Sequence, residues 1–211
     1  MRSEAFETLF GGAAGGGKSH GQLLDALRFA VVYPGSRQLM LRRTMPELER
    51  SLVPAAMRLY PQSVASYKVS EHRWDFINGS TLEFGYCDAE SDVTKYQSAE
   101  YDVIRFDELT HFTESQFTYL ISRIRGANPY PKQVKSTTNP GGIGHQWVKS
   151  RYIDPMPPDE VHAFDGVQWI GCSKGFLKSV SAQGRCRVRK AAASALRARQ
   201  ARAARRRVGA G

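Results

Sequence analysis

Apolar positions along the first 165 residues recur at two spacings, and the switches between them outline the elements. Residues 5–10 read as a short strand and run into a glycine-rich stretch at 11–17. A helical pattern begins near Lys18, with Leu23, Leu24, Leu27, Ala30 and Val31 as its apolar positions, and Tyr33-Pro34-Gly35 ends it. Residues 38–42 form a second candidate strand. Thr44-Met45-Pro46-Glu47 then offers a capping box, with proline in the first turn, for a helix reaching about Leu59. Residues 67–77 and 80–87 alternate with period two, placing Trp74 and Phe76, then Leu82, Phe84 and Tyr86, on repeated apolar faces. Asn78-Gly79 between them predicts a hairpin turn in which both central residues take positive φ. Residues 102–107 read as a strand, 113–125 as a helix, 133–138 as a strand and 145–153 as a short helix. Strands alternating with helices predict an α/β domain with a mainly parallel central sheet, flanking helices and a β-hairpin insertion. No internal repeat is visible.

Beyond Asp165 the character changes. None of the 46 following residues is acidic, and after Gly184 the chain is mostly Ala and Arg. The formal charge is +10, from 30 Lys and Arg against 20 Asp and Glu. Ten of the basic residues lie from Ser181 onward; subtracting them leaves 20, so residues 1–180 are neutral and the excess belongs to the tail. The sequence therefore predicts a domain over 1–165 and an Arg/Ala-rich tail over 166–211, disordered in isolation or out of frame. At 41% hydrophobic residues the composition is that of a globular protein, with no apolar run of membrane-spanning length and no signal peptide. Cys87, Cys172 and Cys186 form no CxxC pair, which points to reduced thiols in a cytoplasmic setting.

Three segments carry chemistry. Gly12-Ala13-Ala14-Gly15-Gly16-Gly17-Lys18-Ser19 matches G-x-x-x-x-G-K-[ST] in full, between a predicted strand and a predicted helix. Glycines let backbone N–H groups curl around phosphate, and the helix that follows aims its positive end at the anion. Lys18 is placed to reach the β- and γ-phosphates of ATP and Ser19 to ligate Mg²⁺; His20 completes the expected nucleotide-binding run. Val103-Ile104-Arg105-Phe106-Asp107-Glu108 resembles a Walker B strand, with Asp107 for Mg²⁺ and Glu108 as the base that orients and deprotonates water. Arg105 is unusual in a strand buried on both faces and marks, on this reading, an edge-facing position. Ser136-Thr137-Thr138-Asn139-Pro140 ends a third strand, where Asn139 is a candidate γ-phosphate sensor with a catalytic role. His111 is divided between approaching the nucleotide and starting a helix; His145 reads as structural. No His, Cys and Asp grouping has metal-ligand spacing, so Mg²⁺ with the nucleotide is the one metal implied.

Together these stretches resemble phage terminase large subunits: 7–19, Leu41-Arg42-Arg43-Thr44, Phe106-Asp107-Glu108-Leu109-Thr110-His111-Phe112, and Thr137-Thr138-Asn139-Pro140-Gly141-Gly142 followed by Gly144-His145-Gln146-Trp147-Val148-Lys149. The similarity runs over about residues 4–155. The resemblance implies an ASCE-type P-loop NTPase acting as a packaging motor. Such a motor hydrolyses ATP to drive double-stranded DNA into a prohead, in a homo-oligomeric ring with portal protein and small terminase subunit as partners, in the host cytoplasm. It implies Thr137, Thr138 and Asn139 as the motif coupling hydrolysis to movement, and an arginine that stabilises the transition state. Arg42, Arg43, Arg123 and Arg125 are candidates among which sequence does not choose.

Two departures from the family stand out. Its RNase H-like nuclease domain needs a cluster of acidic metal ligands, and the acid-free end of this chain offers none, so cutting activity is not expected. By comparison with the family, the upstream adenine-contacting segment is expected to be missing or very short. A reading-frame change near residues 165–180 competes with a basic arm for DNA phosphates as the origin of the tail. The alternative functions are a helicase-like or recombinase-like P-loop motor, and an inactive remnant with a basic DNA-binding tail.

Overall fold

The computed structural model describes residues 5–11, 17–154, 161–164 and 167–171. These form one nine-stranded sheet in the order β3-β4-β5-β2-β6-β7-β1-β9-β8. Its centre is parallel: β5 (Thr81–Tyr86), β2 (Arg37–Arg42), β6 (Val103–Phe106), β7 (Gln133–Thr138), β1 (Glu7–Gly11) and β9 (Val167–Gly171) all run the same way. Antiparallel β4 (Arg73–Phe76) and β3 (Ala65–Lys68) extend one edge, and β8 (Val161–Phe164) the other. The architecture is thus the α/β, mainly parallel one that the periodicity predicts. β9 lies past residue 165 and pairs with β1, so the sheet continues beyond the boundary drawn from composition. Residues 172–211, which include most of the predicted tail, lie outside the described residues. No helix among the described residues is long and apolar enough to cross a membrane.

Alternation along the strands divides the core into two layers. Leu39, Leu41, Ile104 and Phe106 face α3 (Glu114–Ile121) and α4 (His145–Tyr152) with Phe117, Leu120 and Val148. Met40, Leu82 and Phe84 face α1 (Lys18–Val32) and α2 (Met45–Leu59) with Leu23, Ala26, Leu48 and Leu52. α2 starts at the predicted N-cap, with proline in its first turn, but with half of the predicted box: Thr44 Oγ1 accepts from Glu47 N at 3.4 Å, a contact of a kind worth about 1 kcal/mol, while the Glu47 carboxylate lies 3.5 Å from Arg42 Nε. α3 shows the full reciprocal box between Thr113 and Gln116.

Several expectations are corrected. Leu24 and Val31 are 50% and 52% exposed, because the buried face of α1 runs instead through Gln22, Leu23, Asp25, Ala26, Phe29 and Ala30. Residues 67–77 are not one strand; a 3₁₀ turn at Val69–Glu71 and left-handed His72 (φ 47°) split them into β3 and β4. The hairpin is present, but of its two turn residues only Gly79 has positive φ (82°). Gly79 N donates to Phe76 O and Phe76 N to Ser80 O, the pattern of a three-residue loop closed by a left-handed glycine. α3 ends at Ile121 rather than at Arg125, and Ile124 instead bridges Tyr101 beside the start of β6.

Arg105 does not face an edge. β6 lies between β2 and β7, and the Arg105 side chain is wholly buried beneath α1. Its Nη1 donates to Asp25 Oδ2 at 2.8 Å, while Nε and Nη2 donate to Gln38 Oε1 at 3.1 and 2.8 Å. Lys135 Nζ, equally buried, donates to the same Asp25 oxygen at 2.7 Å. Burial opposes ionisation of Asp25, but Arg105 and Lys135 outweigh it and hold the carboxyl well below the usual carboxylate range. Burial, with the like charge of Arg105, pushes Lys135 down to about 8 against the pull of Asp25.

That depression fixes a sign. Between about pH 8 and the ordinary lysine value of 10.5 the unfolded chain binds a proton at Lys135 that the folded chain has released, so stability rises with pH across that window. The expected contribution is at most about 1.4 kcal/mol per pH unit. Urea midpoints of the parent should climb from pH 8 to pH 10 relative to those of Lys135→Met; parallel curves would refute the assignment.

Candidate nucleotide site

The C-terminal ends of the parallel strands β1, β6 and β7 lie side by side, with Gly11 opposite Thr138 and Phe106 opposite Ser136. Ligands of open α/β sheets gather at this edge. Gly12, Ala13, Ala14, Gly15 and Gly16, named from the sequence as the phosphate cradle, lie outside the described residues. Gly17 is described: its φ of 70° turns the chain into α1 in a conformation side chains disfavour. Lys18 and Ser19 follow on the first helical turn; the His20 side chain there is exposed.

Asp107 and the P-loop residues meet. Ser19 Oγ donates to Asp107 Oδ1 at 2.9 Å, and Thr137 Oγ1 donates to the same oxygen at 2.7 Å. Arg42 Nη1 donates to Asp107 Oδ2 at 3.0 Å. Asp107 is 1% exposed, so its charge is held by these partners rather than by solvent. Lys18 Nζ donates to Asn139 Oδ1 at 2.8 Å. Burial lowers the Lys18 pKa, and the charges of Glu108 and Asp107 work against that.

Glu108 is held differently. Its Oε1 receives Arg42 Nη2 and Asn139 Nδ2, each at 3.4 Å, and its Oε2 lies 3.4 Å from His111 Nε2. These are long contacts at the weak end of hydrogen bonding, and the side chain is 23% exposed. Two adjacent carboxylates thus differ in kind: Asp107 is fixed and dry, Glu108 loosely held and reachable by water. Its backbone is left-handed (φ 62°), and the Arg42 guanidinium reaches both carboxylates.

A second layer supports the edge. Thr110 Oγ1 donates to Asn139 O at 3.0 Å and Gly144 N to Thr110 O at 2.8 Å, clamping the turn after β6 to the loop after β7. Gly142 (φ 87°) sits where an added Cβ would lie 2.5 Å from Thr110 O. His145 Nδ1 accepts from Gly141 N at 3.1 Å, the structural role expected of it. His111 ends a 3₁₀ turn (Leu109–His111) two residues before Thr113, the N-cap of α3, and its Nε2 lies 3.4 Å from Glu108 Oε2, so the region does start a helix while His111 sits beside the site.

The four arginine candidates separate. Arg42 turns inward onto Asp107 and Glu108 of its own chain and also donates to Ser51 Oγ on α2 at 2.6 Å. Arg43 donates to Gln116 Oε1 at 3.1 Å and pairs with Asp88 at 3.3 Å. Arg123 and Arg125 flank the bridge to Tyr101, at the start of β6 and so at the opposite edge of the sheet from Asp107. The sequence reading missed the inward role of Arg42 and the polar underside of α1. A signal existed in Ser19, Gln22 and Asp25, which share one helical face opposite Arg105 and Lys135.

A family model described as phage terminase large subunit matches residues 4–170. No curated protein matches by sequence. Among solved structures, the large terminase of a thermophilic bacteriophage in complex with ADP is 15% identical, with a TM-score of 0.61 over 72% of this chain and 38% of that one. The N-terminal domain of the DNA packaging ATPase from bacteriophage phi29 is 14% identical, with a TM-score of 0.56 over 83% of this chain and 94% of that one. The bacteriophage phi29 viral genome packaging motor assembly gives 17% identity and a TM-score of 0.51, over 80% and 53%. The chain spans 38% of the length of the thermophilic phage's large terminase.

The loop contacts predict a contrast between neighbouring glycines. Gly141 (φ 102°) has open space where a Cβ would go, whereas Gly142 combines positive φ with the Thr110 carbonyl. Gly141→Ala should cost about 1 kcal/mol, from backbone strain alone. Gly142→Ala should cost at least about 2 kcal/mol, within the range for strained positions. Denaturant midpoints check the order; equal losses would contradict the packing described.

Proposed function

The chain belongs to the phage terminase large subunit family, and we infer that its described domain is a Mg²⁺-dependent ATPase, the motor portion of a DNA-packaging machine. One observation carries the reading: α1, β6 and β7 bring Lys18, Ser19, Asp107, Glu108 and Asn139 to one edge of the sheet, linked by hydrogen bonds. The phosphates of ATP belong at the start of α1, within the cradle of Gly12 to Gly17, where Lys18 supplies positive charge.

The donors present suit a hard cation. Ser19 Oγ and the Asp107 carboxylate would offer oxygen ligands from two segments, and among the described residues no group of three or more acidic, His or Cys side chains is placed to hold a metal by itself. Mg²⁺ is ordinarily held in that way, by one or two protein oxygens together with the phosphates. When bound it neutralises charge on the transferring phosphoryl group. Thr137 fixes the orientation of Asp107, and Arg42 donates to the other oxygen of that carboxylate. Glu108 takes a proton from the water that attacks the γ-phosphorus as the bond to the ADP oxygen breaks. Its partial exposure leaves room for that water. Asn139 contacts both Lys18 and Glu108, which suits it to report whether the terminal phosphate is present.

Family membership supports double-stranded DNA as the polymer moved, with portal protein, small terminase subunit and a ring of like chains as partners. The phi29 motor assembly is the structural neighbour in keeping with this. Arg42, engaged within its own chain, fits a role in cis.

Steady-state ATPase of the purified chain, with and without duplex DNA, tests the proposal. Glu108→Gln should lower turnover about 10²- to 10⁴-fold while Mg·ATP affinity stays within a few-fold. Lys18→Ala should abolish both binding and turnover; a Lys18→Ala chain as active as the parent would refute the proposal.

A further inference from the structure

Beside its apolar contacts, the buried face of α1 carries polar side chains over β6 and β7 through its first two turns. Ser19 reaches Asp107; Gln22 Nε2 donates to Phe106 O at 2.9 Å; Asp25 accepts from Arg105 and Lys135. Gln38 completes the set, its Nε2 donating to Ala26 O at 2.9 Å while its Oε1 takes Arg105. Helices usually seat on sheets through apolar side chains, and two buried cations around one carboxylate carry a desolvation cost that apolar residues of like volume would avoid. Stability alone is thus a poor account of the cluster.

Its placement supplies a better one. Arg105 on β6 and Asp107 directly after it are two apart, and Lys135 and Thr137 are two apart on β7, so each strand line carries an anchoring residue and a site residue on one face, about 7 Å apart. On α1, Ser19 and Asp25 are separated by about 9 Å along the axis. Apolar contacts tolerate small shifts of a helix along a sheet, whereas charged hydrogen bonds at 2.7–2.8 Å fix direction and register. We propose that Asp25, Arg105, Lys135 and Gln38 are positioning residues for ATP hydrolysis: they lock α1 against β6 and β7, and thereby set Lys18 against Asn139 and Ser19 against Asp107. The inference rests on the ATPase reading above and adds residues to it that touch neither nucleotide nor metal.

A purely structural cluster and a positioning one predict opposite outcomes when it is replaced by apolar residues. In the full chain, Asp25→Leu/Arg105→Met/Lys135→Met should melt at or above the parent's temperature. Its turnover should fall about ten- to a hundredfold, the scale of loss from an ångström-sized misplacement. Its Mg·ATPγS affinity by calorimetry should change less than turnover does. A folded triple variant with the parent's turnover overturns the proposal. Should the triple variant not fold, Lys135→Met alone, which leaves the Asp25–Arg105 pair intact, carries the test. A several-fold loss of turnover supports the lock, and parental turnover overturns it. Failure of the ATPase reading is separately visible, since the unsubstituted parent would then neither bind Mg·ATPγS nor hydrolyse ATP, and the lock would fall with it.

Discussion

Asp107 is a buried carboxylate whose partners come from three other elements, and the rest of the site is arranged around holding it still. Ser19 from α1, Thr137 from β7 and Arg42 from β2 all donate to it. A charge removed from water costs several kcal/mol unless such partners replace the solvent. The strands and helix that supply them are therefore tied to one another through this single side chain. The order of the sheet makes the convergence possible, because β7 lies between β1 and β6 and brings its own polar end to the space between the P-loop and the carboxylates.

The same constraint separates two carboxylates that are neighbours in sequence. Asp107 continues the strand and points beneath α1, whereas Glu108 sits in a left-handed turn and leans toward Asn139, Arg42 and His111 through contacts of 3.4 Å. Rigid placement suits a group that holds a metal, and loose, wetted placement suits one that must accept a proton. Arg42 spans both and continues to Ser51 on α2.

Much of this was legible before any coordinates. The Gly-Lys-Ser run, the Asp-Glu pair and the Thr-Thr-Asn end of β7 are local patterns whose chemistry depends on spacing along the chain. The parallel sheet follows from strands alternating with helices. What escaped depended on contacts between distant residues. Leu24 and Val31 looked like core because they are apolar at helical spacing, yet the buried face of α1 carries Gln22 and Asp25 beside Leu23, Ala26, Phe29 and Ala30, with Arg105 and Lys135 beneath it. Arg105 looked like an edge residue because its counter-ion, Asp25, lies 80 positions away. The break at His72 came from a left-handed residue that no turn signal announced, whereas the turn at Gly79 kept its glycine and changed its type.

The most direct test is a crystal structure of the chain with Mg²⁺ and ATPγS. The account predicts the γ-thiophosphate within hydrogen-bonding reach of Lys18 Nζ, the metal on Ser19 Oγ with Asp107 in its shell, and a water between the γ-phosphorus and Glu108. Nucleotide bound elsewhere, or a metal with no tie to Ser19 and Asp107, would contradict it.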